Sequence, residues 1–167
     1  HVNRYLESNE GPDHGYHGET TVIHYLEMLR DIVGWDNVQK AVTHPLTGRK
    51  IGAYYGCLLL RPGKVMAMDD AENPQILEDF IRAIGAQPVV YPMRNECCGG
   101  YVRLEDKALA AKKSTAVLDS AGSHGAELLV TACPLCKYNL AKASAALPVI
   151  YFTELLAEAM GLKEVAE

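Results

Sequence analysis

The sequence predicts an α/β fold in which a Rossmann-like or flavodoxin-like parallel sheet of four strands carries helices on both faces. From Gly48 onward, short apolar runs typical of buried strands alternate with longer segments whose apolar residues recur at helical spacing. Strands that alternate with helices in this way pair in parallel, because each helix returns the chain to the same end of the sheet. The predicted strands are Lys50–Gly56, Pro88–Tyr91, Glu127–Ala132 and Val149–Phe152, and the predicted helices are Asn73–Ile84, Leu104–Ala121, Pro134–Ala145 and Thr153–Met160.

Each predicted element follows from its own residues, in chain order. The first strand (KIGAYYG) is a short apolar run, and the helix after it has apolar residues at helical spacing until Gly85 ends it. The runs PVVY, ELLVTA and VIYF give the other strands, and the long segment between PVVY and ELLVTA is rich in Ala and Lys, as helices are. Thr153 can cap the last helix, which Gly161 ends.

The composition is that of an ordinary globular protein. Of its 167 residues, 49% are apolar and 22% are charged, and the net charge is −5. Because no run of Lys or Arg stands out, a nucleic-acid partner is disfavoured, and no apolar stretch approaches the roughly 20 residues of a membrane span. The five cysteines are an odd number and two are adjacent, which fits a secreted disulfide framework poorly. We therefore expect a reducing, cytoplasmic compartment and metal ligation.

The first 48 residues do not continue the alternation. Val22–Gly34 (VIHYLEMLRDIVG) is similar to Val149–Gly161 (VIYFTELLAEAMG), with five identities in 13 positions. This likeness predicts that residues 1–48 are a linker and the tail of a preceding copy, its last strand and helix, and that residues 49–167 are the complete domain. Such a remnant cannot cover its own apolar face, so we expect it to pack on another surface. The alternative is an ordinary helical extension docked on the sheet.

The cysteines follow the predicted strands. Cys57 comes directly after the first strand, Cys97 and Cys98 a few residues after the second, and Cys133 after the third, with Cys136 one helical turn later. The carboxyl ends of parallel strands lie at one edge of a sheet, where such folds bind their ligands. In the strand order 2-1-3-4 the cysteine-bearing strands are neighbours, spanning roughly 10 Å. We therefore expect all five sulfurs to meet at one bound group.

Several kinds of site would use such cysteines. The motif Cys133-x-x-Cys136 alone suits a redox dithiol or half of a zinc site, and its position at a helix start favours thiolates. The adjacent pair Cys97–Cys98 suits two thiolates that reach different metal atoms. Five ligands exceed the four of a zinc site or an ordinary four-iron cluster, so either one cysteine is spare or the cluster is unusual. The pair Gly99–Gly100 suits close backbone approach to a cluster, or a simple turn.

These motifs resemble the cysteine-rich CCG domain, whose pattern is Cys, a long gap, Cys-Cys-Gly, a similar gap and Cys-Pro-x-Cys. The matching stretches are YYGCLLLRP (Tyr54–Pro62), NECCGG (Asn95–Gly100) and VTACPLCKYNL (Val130–Leu140). The likeness extends over about residues 20–162. Within the family, it points to the heterodisulfide reductase subunit that carries two CCG domains, and to the second, C-terminal domain of that subunit.

The resemblance implies a cofactor and a reaction. In that heterodisulfide reductase subunit, each CCG domain holds a noncubane 4Fe-4S cluster on five cysteines, and the matching positions here are Cys57, Cys97, Cys98, Cys133 and Cys136. A small-molecule disulfide is split between the clusters of the two CCG domains. Electrons come from a ferredoxin-like iron–sulfur subunit and ultimately from a flavin subunit. No catalytic side chain is assigned beyond the cluster ligands.

The resemblance also implies that this chain is an oxidoreductase only as part of a complex, since alone it would offer half of such an active site. Two other interpretations stay open. One is an electron-transfer iron–sulfur module of a hydroxy-acid or succinate-type dehydrogenase, because CCG domains also occur in such subunits. The other is a structural zinc domain that uses four of the five cysteines.

Overall fold

The computed structural model describes residues 2–11, 16–143 and 147–162. Its centre is a sheet of four parallel strands in the order β2-β1-β3-β4, where β1 is Lys50–Tyr54, β2 is Gln87–Val89, β3 is Leu128–Thr131 and β4 is Val149–Tyr151. The predicted α/β fold class and strand order are confirmed. Across these ranges, no helix combines the length and the apolar character needed to cross a bilayer.

The register of the sheet brings the strand ends into line. β1 pairs with β3 from Ile51 opposite Leu128 to Tyr54 opposite Thr131, and the β3–β4 pairing ends at Thr131 opposite Tyr151. Every residue of β3 is buried, as expected of a strand with neighbours on both sides and helices on both faces. The carboxyl ends of β1, β3 and β4 therefore lie side by side at one edge of the sheet.

The four helices predicted after Gly48 are present with shifted ends, whereas Trp35–Ala41, in the predicted linker, and Gly63–Met66 are helices that the sequence did not predict. Asp106 accepts a hydrogen bond from the amide of Leu109 (2.9 Å) and so starts the longest helix three residues later than predicted, at Lys107. Residues 144 and 145, predicted as the end of another helix, lie outside the described part of the chain. In chain order the helices are α1 (Val2–Glu10), α2 (Tyr25–Glu27), a π-helix (Met28–Val33), α3 (Trp35–Ala41), α4 (Gly63–Met66), α5 (Ile76–Ala83), a 3₁₀ turn (Val102–Leu104), α6 (Lys107–Ser123), α7 (Pro134–Ala143) and α8 (Phe152–Ala159).

The start of α8 is not capped by Thr153, so that prediction is wrong. The helix begins at Phe152, and Thr153 lies within its first turn. The carboxylate of Glu154 instead accepts a hydrogen bond from the amide of Tyr151 at 2.8 Å. This bond satisfies a donor that the first helical turn leaves free, and a threonine hydroxyl is not needed for it.

Two apolar layers cover the two faces of the sheet, because side chains alternate along each strand. On one face the sheet packs against α5 and α8, in a layer that includes Phe80 and Phe152, whose ring centroids are 5.8 Å apart. On the other face it packs against α6 and α7, and that layer includes Cys98 and Cys136. We call these the α5–α8 face and the α6–α7 face.

The N-terminal segment packs on the α5–α8 face. Leu26 and Leu29 are buried in that layer, and the rings of Trp35 and Phe80 have centroids 6.5 Å apart. The segment thus covers part of its apolar side with α5, α8 and the sheet, whereas Ile32 stays largely exposed. This docking is expected both of a remnant that packs on another surface and of an ordinary helical extension docked on the sheet.

The strand predicted at the start of this segment does not form. Val22–His24 is not helical and pairs with no strand in the described ranges, so only the helical half of the predicted strand–helix remnant is present. The ring of His24 accepts a hydrogen bond from the amide of Leu26 (3.1 Å), and Glu27 accepts one from the amide of His24 (2.9 Å), which starts a helix at Tyr25. The division into residues 1–48 and 49–167 stays a prediction, and both chain ends lie outside the described residues.

Candidate functional site

The cysteines lie where the carboxyl ends of the strands meet. Cys57 is three residues beyond β1, and Cys133 is two residues beyond β3, with Cys136 in the first turn of α7. Cys97 and Cys98 lie in the loop that leads from β2 towards α6. All five are free of disulfide bonds. The topology of the sheet, and not closeness in sequence, therefore places them together.

All five cysteines line one cavity of about 120 Å³. The sulfurs of Cys57 and Cys97 are 3.7 Å apart, and those of Cys98 and Cys136 are also 3.7 Å apart. Cys98 and Cys136 are buried, whereas the other three are partly exposed. Within the described residues, no three His, Cys, Asp or Glu side chains are arranged to hold a single metal ion. The remaining walls are Tyr55, Leu58, Leu59, Gly100, Tyr101 and Leu135.

Hydrogen bonds among Cys98, Cys133 and Cys136 give these three thiols different pKa values. The pKa of Cys98 is lowered to about 6, first by a hydrogen bond with Cys136 and then by one with Asn139. The pKa of Cys133 is also lowered to about 6, chiefly by a hydrogen bond with Cys136. The pKa of Cys136 is raised, because its hydrogen bonds with Cys133 and Cys98 stabilise the protonated thiol. Cys57 differs, since burial raises the pKa of its thiol. Cys98 and Cys133 are thus ready to ionise and to bind a cation, whereas Cys136 keeps its proton more strongly.

Backbone hydrogen bonds hold the two outer cysteine loops against each other. The amide of Tyr55 donates to the carbonyl of Arg94 (2.8 Å), which ties the end of β1 to the loop that carries Cys97. The guanidinium of Arg61, which also follows β1, donates to the carbonyl of Asn95 in the same loop (3.0 Å). These bonds fix the spacing of the two loops before anything binds between them.

Two buried hydroxyl groups hold the same loop from the α6–α7 face. Tyr54 donates to the carbonyl of Glu96 (2.7 Å), and Ser114 on α6 donates to the carbonyl of Cys98 (2.9 Å). Both hydroxyl-bearing residues are almost fully buried, so each bond lies in a region that screens it little. The backbone around Cys98 is therefore anchored on both sides.

A buried ion pair stands behind Tyr55, which lines the cavity. Nε of Arg94 and Oε1 of Glu78 are 3.2 Å apart, and both side chains are almost wholly buried. The hydroxyl of Tyr55 donates to the Glu78 carboxylate and accepts a hydrogen bond from the amide of Leu77 at 2.9 Å. Burial raises the pKa of Glu78 against the effect of these partners. The sequence does not reveal this pair, because a glutamate in an amphipathic helix is expected to face water.

Two glycines allow close packing around the sulfurs. A Cβ added at Gly56 would lie 3.0 Å from the sulfur of Cys136, and Gly56 has a φ of +67°. A Cβ added at Gly100 would lie 2.8 Å from Leu135 and 3.1 Å from the amide nitrogen of Asn139. Gly100 is among the residues predicted from the sequence, whereas Gly56 is not, although a glycine directly before a cysteine at a strand end is a usable signal.

Two further groups donate to the cysteine sulfurs. The amide of Gly99 lies 3.4 Å from the sulfur of Cys97. The side-chain nitrogen of Asn139 lies 3.7 Å from the sulfur of Cys98. Asn139 is also missed by the sequence predictions, and its signal is its spacing, since a residue three positions after Cys136 shares a helix face with it.

Comparison with known sequences identifies a family. Residues 51–141, just over half of the chain, match the CCG family, which is described as a cysteine-rich domain. The matched range contains all five cysteines. The family predicted from the motifs is thereby confirmed.

Curated proteins that are similar to most of the chain carry two kinds of name. The 8-methylmenaquinol:fumarate reductase membrane anchor subunit of Wolinella succinogenes is 30% identical over 157 residues, which cover 88% of this chain and 55% of that protein. A subunit of the ferredoxin:CoB-CoM heterodisulfide reductase of Methanosarcina mazei is 29% identical over 160 residues, 87% of this chain and 52% of that protein. A protein of Archaeoglobus profundus, named for its likeness to a heterodisulfide reductase subunit, is 26% identical over 160 residues, 87% of this chain and 54% of that protein.

The chain spans about half the length of these relatives. The likeness to a heterodisulfide reductase subunit that the motifs indicate is confirmed by the Methanosarcina and Archaeoglobus proteins. The family match covers β1, β2, β3 and most of α7, which are the elements that carry or flank the cysteines. The chain belongs to the CCG family of cysteine-rich domains.

Proposed function

We propose that this chain is an iron–sulfur subunit of a heterodisulfide-reductase-like complex. In this proposal Cys57, Cys97, Cys98, Cys133 and Cys136 hold a noncubane 4Fe-4S cluster at a disulfide-reducing site. The observation that carries it is the cavity at the sheet edge, because every cysteine of the CCG motif lines it. The Methanosarcina and Archaeoglobus relatives are named for heterodisulfide reductase, which supports the reaction class.

The residues around the cavity fit such a cluster. Thiolates are the usual protein ligands of iron–sulfur clusters, and Cys98 and Cys133, with pKa values of about 6, ionise below neutral pH. The cavity of about 120 Å³ is roughly four times the ~30 Å³ share of one water molecule, so it has room for more than a single ion. When bound, the cluster supplies one-electron transfer and iron atoms that take a substrate sulfur.

The chain's own residues shape the surroundings of the cluster. Leu58, Leu59 and Leu135 give the cavity apolar walls, which limit the access of water and so influence the reduction potential. Buried Cys98 and Cys136 form its inner side, and the partly exposed cysteines form its outer side. A small-molecule disulfide would therefore approach from the outer side.

The proposal extends to the rest of the complex. Electrons would reach this chain from a ferredoxin-like iron–sulfur subunit and ultimately from a flavin subunit, in the cytoplasm. Residues 1–48 would be a linker and the tail of a preceding CCG domain, which the likeness of Val22–Gly34 to Val149–Gly161 supports. The isolated chain would then bind a cluster but supply only half of the active site.

A second candidate function is electron transfer in an enzyme that acts on a carbon substrate, such as a hydroxy-acid or succinate-type dehydrogenase. The observation in its favour is the 30% identity with a fumarate reductase subunit, since fumarate and succinate form one redox couple. In that function the cluster passes electrons and no disulfide binds. A structural zinc domain is the third candidate, and it would leave at least one of the five cysteines without a metal.

Iron and sulfide analysis of anaerobically purified protein tests the cofactor. We expect a brown protein with about four irons and about four sulfides per chain. Cys136→Ser should lower the iron content, whereas the exposed control Val65→Ser should not. One zinc per chain and no sulfide would contradict the proposal.

Acceptor assays on the reconstituted complex separate the first two functions. With the reduced complex as donor, we expect a small-molecule disulfide to reoxidise the cluster, followed by its visible absorbance. Reoxidation by fumarate and not by any disulfide would favour the second candidate. Iron analysis alone does not distinguish them, because both functions need the same cluster.

A further inference from the structure

Asn139 is a buried polar residue at the inner side of the cavity. It lies on α7 three positions after Cys136, and its side chain is 0% exposed. Burial of an amide costs free energy unless its polar atoms find partners. The partners of this amide therefore indicate what the residue contributes.

The partner of the Asn139 amide is a cysteine sulfur. Its Nδ2 lies 3.7 Å from the sulfur of Cys98, within the range of a hydrogen bond to sulfur. Its Oδ1 is buried and has no hydrogen-bond partner within the described residues. A buried amide with one unpaired polar atom carries a desolvation cost, and a leucine of similar shape would avoid that cost. The contact with sulfur is the feature that a leucine would lack.

The surroundings fix both atoms of this contact. A side chain at Gly100 would come within 3.1 Å of the Asn139 Nδ2, so the glycine leaves room for the amide. On the other side, the hydroxyl of Ser114 holds the carbonyl of Cys98 at 2.9 Å. The backbone that carries the Cys98 sulfur is therefore anchored from α6, and the buried Asn139 amide lies in a space that Gly100 leaves open.

We propose that Asn139 is a positioning residue that raises the reduction potential of the bound cluster by donating a hydrogen bond to the sulfur of Cys98. This inference rests on the proposed function, because it needs a cluster with Cys98 among its ligands. A donor aimed at a ligand sulfur stabilises the more negative, reduced state of a cluster over the oxidised state. Asn139 supplies a side-chain donor to Cys98, whereas the donor to Cys97 in the outer pair is the backbone amide of Gly99.

Asn139→Leu tests this role, because leucine keeps the approximate volume and removes the donor. A redox titration of the loaded protein, followed by EPR, should give a more negative midpoint potential at unchanged iron and sulfide content. The matched control is Leu140→Ala on the same helix, which removes buried apolar contacts but no sulfur donor. It should lower thermal stability and leave the midpoint potential unchanged.

Each outcome bears on the proposal. An unchanged potential in Asn139→Leu, or an equal shift in Leu140→Ala, would overturn it while the proposed function stands. A wild-type protein without iron and sulfide would overturn both. If Asn139→Leu does not fold or load, pulsed EPR on the wild-type protein grown with asparagine labelled by ¹⁵N at the side-chain amide decides the question. A ¹⁵N coupling to the reduced cluster is expected, and its absence would overturn the proposal.

Discussion

The two faces of the sheet are packed with different kinds of side chain. The α5–α8 face is a continuous apolar layer in which the Phe80 and Phe152 rings meet edge to face, and the N-terminal segment extends it. The α6–α7 face also has helical cover, but Cys98 and Cys136 take part in its packing. Both layers lie on the same strands, so the difference comes from the loop that carries Cys98 and from α7, which carries Cys136.

This difference shows how one face of a sheet can carry a site while the other face supplies apolar packing. Burial of apolar area on the first face favours folding, and it offsets the cost of burying sulfur, hydroxyl and amide groups on the second. Ser114 and Asn139 are such groups on the second face. Glu78 is the exception on the first face, and it stands next to Tyr55, which lines the cavity. Changes on the first face should therefore alter stability alone, whereas changes at the polar groups and sulfurs of the second face should also alter the site.

The largest expected effect is on the α5–α8 face. Phe80→Ala removes a fully buried ring and leaves a cavity, so the free energy of unfolding should fall by about 3–5 kcal/mol in denaturant titrations. The exposed control Val65→Ala should change it by less than about 0.5 kcal/mol. The iron content per folded chain should stay at the wild-type level in both. Loss of iron from the folded fraction of Phe80→Ala would break the comparison between the faces.

The thiols of the metal-free, reduced protein should titrate differently across the cavity. Cys133 has a pKa of about 6, so it is largely thiolate above that pH and its alkylation rate should only about double from about pH 6 to pH 8. Cys57, whose pKa is raised chiefly by burial, should react about a hundredfold faster at about pH 8 than at pH 6. Iodoacetamide pulses followed by peptide mass spectrometry measure both rates. The same pH dependence of the alkylation rate at Cys133 and Cys57 would refute the expected difference between their pKa values.

A single methyl group added next to the Cys136 sulfur tests whether close packing on the second face matters for the site. Gly56→Ala combines a φ of +67° with a Cβ 3.0 Å from the Cys136 sulfur, so it should cost about 1–3 kcal/mol and lower the iron content. Gly48→Ala is the matched control, because its φ is +84° and a Cβ there meets nothing within 4 Å. It should cost about 1 kcal/mol and bind iron normally. Equal iron content in the two variants would show that the contact with Cys136 is unimportant.

The smallest expected effect is at the hydroxyl of Ser114. Ser114→Ala removes its bond to the Cys98 carbonyl, so the free energy of unfolding should fall by about 1 kcal/mol. The control is Ser123→Ala on the same helix, where an exposed hydroxyl bonds to the carbonyl of Ser120 (3.0 Å) and its loss should be close to neutral. Denaturant titrations of both variants measure the difference. The same loss at the two serines would mean that burial at the site adds nothing.

The sheet could be predicted from the sequence because each strand is marked by its own residues. Each strand is a short apolar run between helical segments, and every strand lies within two residues of its predicted bounds. The meeting of the cysteines follows from the topology, because residues after parallel strands reach the same edge. The positions of the cysteines after the strands, together with this rule of sheet geometry, were enough to predict that they meet.

The remaining features depend on contacts between segments that are distant in sequence. The ion pair of Glu78 and Arg94 and the burial of Asn139 arise only when α5 and α7 are packed, and apart from the spacing of Asn139 from Cys136 no local pattern distinguishes them from surface residues. Val22–His24 has the apolar pattern of a strand, but a strand needs a neighbour to pair with, and within the described ranges it has none. The start of α6 is instead a local feature, since Asp106 caps it by accepting from the amide of Leu109, and its residue type is a usable signal.

The arrangement of the cysteines on the chain also has a thermodynamic consequence. They come from three places that are separated by 39 and by 34 residues. In the unfolded chain these places are far apart, and bringing them together closes long loops at an entropic cost. The folded sheet has already closed those loops, so a metal group that binds there meets a complete set of ligands. Its binding and the folding of the domain are then one linked equilibrium, in which each raises the stability of the other.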